Sequence, residues 1–245
     1  MKDQALIFDQ IVDKRRATRA FDTHFKLPET VVKRSLERAI KSPNSSNMQL
    51  WEFYRVKTQD AIDEVAKICL GQNSARTASE IVVFVARADL WKHRQQFHLA
   101  LLDEEKRNEK DKSRFSKSAY NYYNRLMPFF YNAGILPFAK DFVKRIIIWN
   151  AARKKPFMRD LLSKFIPVVV HKSVGLAAQT FMLSITAEGF DSVPMEGLDS
   201  VRMKHFLKLP KGAEICMAIA VGKGLPEGIS GPRVRLGYDE VVFDV

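Results

Sequence analysis

Cysteine is nearly absent from this 245-residue chain: only Cys69 and Cys216 occur, both in apolar surroundings. Two such thiols make neither a disulfide framework nor a cysteine-based metal site, and their scarcity points to a reducing compartment. Long hydrophobic runs are missing too. No stretch reaches the roughly 18 apolar residues of a membrane span, and Met1 to Asp13 carries acids without an apolar core, so no secretory signal is expected. Walker and zinc motifs are absent, and Gly222-Lys223-Gly224 lacks the third glycine and following helix of a dinucleotide-binding turn. His93 and His98, five residues apart, would not share a helix face, so no metal pair is expected. There is no fixed-period repeat and no low-complexity segment. What remains is an ordinary globular composition, 46% hydrophobic and 28% charged, in a chain short enough for one core. The expectation is a cytoplasmic protein, soluble or peripheral to the inner face of the membrane.

The net charge of +12 is concentrated in one segment. From Lys106 to Lys172 there are 16 Lys and Arg against only Glu109, Asp111, Asp141 and Asp160, whereas the remainder of the chain balances at 24 against 24. The segment is also rich in aromatics, including Phe129, Phe130, Tyr131, Phe138, Phe142, Trp149, Phe157 and Phe165, and is punctuated by Pro128, Pro137, Pro156 and Pro167. It reads as an insertion with its own partner.

Outside it, apolar spacing predicts helices over residues 3–16, from Pro28 to Lys41, over 60–69, from Ser173 to Gly189 and from Val201 to Leu207. Trp51 to Val56 reads as a strand. Glu80 to Ala88 and Ile215 to Val221 read as apolar strands suited to a sheet covered on both faces. Val193-Pro194-Met195-Glu196-Gly197 reads as a tight loop, and Glu240 to Val245 as an isolated terminal strand in need of a sheet edge. Few strands among many helices give an α/β or α+β layered domain.

Four clusters could carry chemistry. Arg15-Arg16-Ala17-Thr18-Arg19 gathers guanidinium groups at a helix end, where they can grip a phosphate or simply be solvated. Ser42 to Trp51 (Ser-Pro-Asn-Ser-Ser-Asn-Met-Gln-Leu-Trp) sets amides and hydroxyls before a strand, as a capping loop or as a site for a polar heterocycle. Pro194-Met195-Glu196-Gly197 can expose backbone N–H groups. Arg233 and Arg235 alternate on an extended segment and point to one side.

In this order the four clusters resemble the FMN-dependent nitroreductase family, whose pattern is an Arg-Arg-Ser-x-Arg-like start, a Pro-Ser-x-x-Asn-x-Gln-x-Trp loop, a Pro-x-Glu-Gly loop and a late Arg-x-Arg pair. The likeness covers roughly residues 1–90 and 173–245. It implies a single nitroreductase-like domain over 1–245, with a central mixed, mostly antiparallel sheet flanked by helices, in a homodimer. It further implies that Arg15, with Arg16 and Ala17 beside it, joins Arg233 and Arg235 around the FMN phosphate. Arg19 would lie at the pyrimidine edge, with Asn73 and Arg76 matching an Asn-x-x-Lys element there. Pro43, Asn44, Ser45, Asn47 and Gln49 would reach the flavin from the other subunit. Pro194, Met195, Glu196 and Gly197 would line the ring, a backbone N–H of Glu196 or Gly197 standing near N5. Ala17, Asn44 and Leu50 depart from the usual Ser, Ser and Pro, which removes a hydroxyl contact and a rigid link in the loop. The implied reaction is ping-pong hydride transfer from NADH or NADPH to a nitroaromatic, quinone or activated alkene, without a metal. A reductive dehalogenase-like or flavin-consuming relative is the other enzyme reading.

In the family, the segment corresponding to 91–172 is a helical cover that sets substrate choice. Here Phe142, Ile146, Trp149 and Arg153 would make one helical face and Lys140, Lys144, Ala151 and Lys155 another. That basic amphipathic pattern suits an anionic membrane surface, but a cover whose aromatics pack as lid and dimer contact while its lysines are solvated ranks above it. Nucleic acid ranks below both. A peripheral membrane-surface protein on this scaffold is the non-enzymatic alternative.

Overall fold

The computed structural model describes residues 2–107, 117–131 and 137–245. Its frame is a four-stranded sheet of β1 (Trp51–Val56), β2 (Glu80–Ala86), β3 (Asp191–Met195) and β4 (Glu214–Gly222), in the spatial order β1-β2-β4-β3. All three pairings are antiparallel, with Phe53 opposite Phe84, Val82 opposite Ile219, and Val193 opposite Ala220. Among the described residues the one parallel pairing is an isolated bridge between Ala17 and Ser192.

β2 is buried along its whole length because it is central and both its faces are covered. Its alternating side chains divide two cores. Val82 and Phe84, with Ile219 and Val221 of β4, face α2 (Glu29–Ala39) and α9 (Ile166–Ala187). Ile81, Val83 and Val85, with Ala218 and Ala220, face α3 (Gln59–Ile68) and α10 (Ser200–Phe206). Phe181 of α9 packs on Phe84 with ring centroids 5.4 Å apart. Truncating either fully buried ring would cost ~3–5 kcal/mol.

The segment Ser163–Ala187 is long and apolar enough to cross a membrane by length and composition. Its Val174, Ala177, Phe181 and Ile185, however, are core residues against the sheet. α9 begins at Ile166, earlier than Ser173, because Pro167 fits a first helical turn, where its missing N–H is not needed.

The remaining α-helices among the described residues are α1 (Lys2–Lys14), α4 (Asn73–Arg76), α5 (Trp91–Arg107), α6 (Lys117–Asn121), α7 (Met127–Tyr131), α8 (Pro137–Lys154) and α11 (Tyr238–Val241). The expected loop at 193–197 is half strand: β3 runs through Pro194 and Met195. Proline is tolerated there because β3 is an edge strand with no neighbour on one side. The expected terminal strand is also absent. Gly237 and Glu240 close a helical turn, the Glu240 carboxylate accepting from the Gly237 N–H at 2.9 Å.

The cover reading, with aromatics packed inward and lysines solvated, is not what α8 shows, although Lys155 is exposed. Lys144 is buried and donates to the Phe130 carbonyl at 3.1 Å, while Phe142, Ile146 and Trp149 are exposed. Of the expected lysine face, the Lys140 side chain lies outside the described residues, as do Glu109 and Asp111 of the charge count.

Candidate functional site

Past Lys14 the backbone leaves α1 and runs beside the sheet edge, through the Ala17–Ser192 bridge and an antiparallel bridge of Phe21 with Gly224. The Arg19 N–H donates to the Gly228 carbonyl at 2.7 Å. A Cβ on Gly228 would stand 2.7 Å from the Ala20 nitrogen, so this approach needs glycine. The pairing draws the chain's two ends together. Arg16 donates to the Gly231 carbonyl at 2.8 Å, and Arg233 donates to the carbonyls of Val12, Asp13 and Arg15, the shortest bond being 2.6 Å to Asp13. These are last-turn carbonyls of α1, the negative end of its dipole.

Arg15, Arg16, Arg233 and Arg235 therefore converge. Among the described residues none of the four has a carboxylate partner. Burial first, then the charges of Arg233, Arg235 and Arg16, holds the Arg15 guanidinium below its ordinary range. Such a cluster repels itself, and a multiply charged anion such as a phosphate monoester would stabilise it.

α4 ties a second group of residues to the first. Three consecutive side chains reach three different segments: Gln72 donates to the Gly197 carbonyl at 2.7 Å, Asn73 to the Arg19 carbonyl at 2.9 Å, and Ser74 to the Met195 sulfur at 3.2 Å. Asn73 also accepts from the Arg76 guanidinium at 3.3 Å. Arg19, Arg76, Pro194, Glu196 and Gly197 are thus gathered and exposed, whereas the Met195 side chain points into the core and leaves only its backbone to the surface. Among the described residues the N–H groups of Glu196 and Gly197 have no hydrogen-bond acceptor.

The Pro43–Gln49 loop stands apart, joined to the arginine cluster by no hydrogen bond among the described residues. Its anchors are on α9 and the insert. The Ser45 N–H donates to the Ser173 hydroxyl at 3.2 Å, Ser46 meets the Tyr122 hydroxyl at 2.6 Å, and the Tyr123 hydroxyl donates to the Ser46 carbonyl at 2.9 Å. Ser46, Asn47 and Gln49 all have positive φ, at 56°, 50° and 49°, a conformation that costs about 1–2 kcal/mol per residue. Asn44 offsets part of that cost by accepting from the Gln49 N–H at 2.8 Å and donating to the Ser42 carbonyl at 3.3 Å.

His98 of α5 packs flat on Tyr123, with centroids 4.5 Å apart, and its Nε2 lies 2.7 Å from the Asn47 carbonyl. A carbonyl only accepts, so Nε2 carries the hydrogen. Burial lowers the His98 pKa, the Asn47 carbonyl opposes that shift, and Arg94 adds to it. Sequence reasoning missed His98, Tyr122, Tyr123, Gln72 and Ser74 as supports, and nothing in their spacing marks them. His171 lies within α9 and meets Glu214 at 3.0 Å. A polar cleft of about 550 Å³ between Phe25, Lys26, Lys57 and Glu80 includes, of the predicted residues, Arg76 alone.

The model of the nitroreductase family matches residues 12–223. The chain is 26% identical over 242 residues to an oxygen-insensitive NAD(P)H nitroreductase of Enterobacter cloacae, covering 94% of this chain and 96% of that protein. Its fold is similar to that of ydfN from Bacillus subtilis, with TM-score 0.72, 19% identity, and coverage of 97% and 98% of the two chains. It is also similar to a protein of Exiguobacterium sibiricum solved in complex with FMN, with TM-score 0.68, 19% identity and 97% of each chain covered.

Proposed function

Because this chain belongs to the nitroreductase family, we propose that it is an FMN-dependent oxidoreductase passing hydride from NADH or NADPH to a nitroaromatic, quinone or activated alkene. The observation that carries this reading is the convergence of four guanidinium groups without a carboxylate partner among the described residues. A phosphate monoester at the end of a flavin supplies the charge that such a cluster lacks. The unpartnered N–H groups of Glu196 and Gly197 add donors for a heteroaromatic ring edge.

FMN, when bound, supplies the group that accepts and donates hydride. Arg15, Arg16, Arg233 and Arg235 bind its phosphate, Arg233 from a position fixed by the carbonyls of α1. Arg19 and Arg76, held in one neighbourhood by Asn73, place positive charge where the reduced ring is electron-rich, which favours reduction. The backbone N–H of Glu196 or Gly197 would orient the ring at N5. Water is the proton donor to the acceptor in this reading.

The separate position of Pro43, Asn44, Ser45, Asn47 and Gln49 supports a homodimer in which this loop completes the partner's site. Leu6, Ile7 and Phe8 of α1 and Leu236, Tyr238 and Phe243 of the C-terminal arm are exposed in one protomer, which supports the same arrangement.

The test is the purified full chain incubated with FMN and desalted. The proposal expects a yellow protein, dimeric by light scattering, whose visible flavin band bleaches anaerobically with NADH or NADPH and returns on adding a quinone. A dimer or monomer that stays colourless with excess FMN would overturn it.

A further inference from the structure

Helix α8 turns its apolar side outward. Phe142, Val143, Ile146, Ile147 and Trp149 are exposed, Phe142 and Trp149 by 64% and 61%, while Lys144 and Ile148 are buried, with 3% and 7% of their surface exposed. At 3.6 residues per turn the five outward side chains form one continuous stripe, with Lys144 and Ile148 opposite. The orientation is anchored at two points. Lys144 reaches the Phe130 carbonyl and lies over the Phe129 ring at 5.7 Å. Asp141 accepts from the Ser163 N–H at 3.0 Å and the Ser163 hydroxyl at 2.9 Å, fastening α8 to the turn that leads into α9.

Arg145 flanks the stripe, and Arg153, Lys154 and, just past the helix, Lys155 close its C-terminal end. Arg145, Arg153, Lys154 and Lys155 are exposed, and the Arg153 guanidinium lies over the Trp149 ring at 4.5 Å. Asp141 is the helix's one acid, and it is turned to Ser163. A contiguous apolar stripe in water is unfavourable, so it calls for an occupant. A second copy packed stripe against stripe would set Arg145, Arg153 and Lys154 against their own counterparts, like charge on like. An anionic lipid surface matches both features.

We propose that α8 lies in the plane of an anionic phospholipid interface, with Phe142, Ile146 and Trp149 among the upper acyl chains and Arg145, Arg153, Lys154 and Lys155 against the headgroup phosphates. Apolar insertion and charge attraction add in such helices. Each cation near the surface contributes about fivefold in affinity at moderate salt.

Sedimentation of the full chain with phosphatidylcholine vesicles, with and without phosphatidylserine, tests this. The expected result is binding at least about tenfold tighter to the phosphatidylserine vesicles, weakened by added salt. It should come with a blue shift of tryptophan emission that is lost in Trp149→Phe, since Trp51 is buried and Trp91 is half-buried against the core. Phe142→Ser/Ile146→Ser/Trp149→Ser should lower vesicle binding by about tenfold or more with an unchanged circular dichroism spectrum, because all three side chains are exposed in the protomer. Arg153→Glu/Lys154→Glu/Lys155→Glu should abolish the preference for phosphatidylserine. Equal binding to both vesicles, no binding, or wild-type binding by either triple variant overturns the proposal. So does a wild type that ignores vesicles while the serine variant changes oligomeric state, which would make a second copy the occupant.

Discussion

The Arg233 guanidinium donates to the backbone carbonyl of Arg15 at 2.9 Å, across 218 positions of sequence. That contact places two like charges in one neighbourhood, and it is bought with the carbonyls at the end of α1. Arg235 makes no bond to α1; its hydrogen bond is to the Val234 carbonyl at 2.6 Å. The two arginines should therefore separate structure from binding. Arg233→Ala loses its bonds to Val12, Asp13 and Arg15 and is expected to lower stability by ~1–2 kcal/mol as well as weakening FMN. Arg235→Ala should weaken FMN by about 10- to 100-fold, the range of a charge-assisted hydrogen bond. It should leave the FMN-free melting temperature unchanged or slightly raised, because it removes a repulsion on Arg15. Titration of FMN fluorescence and thermal melts check both; an Arg235→Ala protein with undiminished FMN affinity means that the phosphate lies elsewhere.

Asn73 bonds both to the Arg19 carbonyl and to the Arg76 guanidinium, so its charge state matters more than its size. Asn73→Asp keeps an acceptor for Arg76, gives up the donor to the Arg19 carbonyl, and brings a negative charge to the place where the reduced flavin would be electron-rich. The midpoint potential of bound flavin is expected to fall by roughly 30 mV, the equivalent of ~1.4 kcal/mol for a two-electron couple. Reduction by NADH should slow accordingly. Spectroelectrochemistry reads the shift, and an unchanged or raised potential places Asn73 away from the ring.

How far the sequence could be read depends on what each residue does. Ile81 to Val85 declares a doubly covered strand because a central strand has no solvent side, and Val174 to Ile185 keeps helical spacing because α9 packs on the sheet. Pro194 and Gly197 look like a turn; only the sheet's strand order shows that Pro194 occupies an edge where its missing N–H costs nothing. On α8 the periodicity is real, but spacing carries no sign. Which face turns inward is decided by the Phe130 carbonyl that receives Lys144, a partner 14 positions away. At the site, Arg15 and Arg233 are recognisable only by likeness to a family, since local pattern does not bring together residues 218 apart. Gln72, Asn73 and Ser74 act on a backbone carbonyl or a thioether of distant segments, and such partners leave no spacing to read.

His98 links pH to the fold. Its pKa is lowered by burial, against an ordinary value of 6.5. As pH falls, the unfolded chain takes up that proton before the folded one, so stability is complete above about 6.5 and declines below it. His98→Gln keeps a donor for the Asn47 carbonyl and removes the titration. Melting temperatures measured from about pH 8 to pH 5 should drop less steeply for the variant than for the wild type. Parallel curves would show that His98 titrates as it does in the unfolded chain.

Cys216 occupies the bulge of β4, between Ile215 opposite Val85 and Met217 opposite Phe84. Its thiol is pushed up to about 11, by burial first and by the Glu196 carboxylate second; Cys69 reaches about 11 by burial alone. The thiolate is the nucleophile, so near neutral pH both cysteines should react with N-ethylmaleimide roughly a hundredfold more slowly than an exposed thiol. Glu196→Gln removes one of the two causes at Cys216 and none at Cys69. Peptide mass spectrometry after timed labelling should therefore show faster modification of Cys216 in the variant, with Cys69 unchanged. That result would fix the Glu196 carboxylate on the β4 side of the β3 end, leaving the backbone N–H groups of Glu196 and Gly197, rather than the acid, to face a bound ring. Equal Cys216 rates in wild type and variant would place the carboxylate outward, where it would compete with the substrate for the same space.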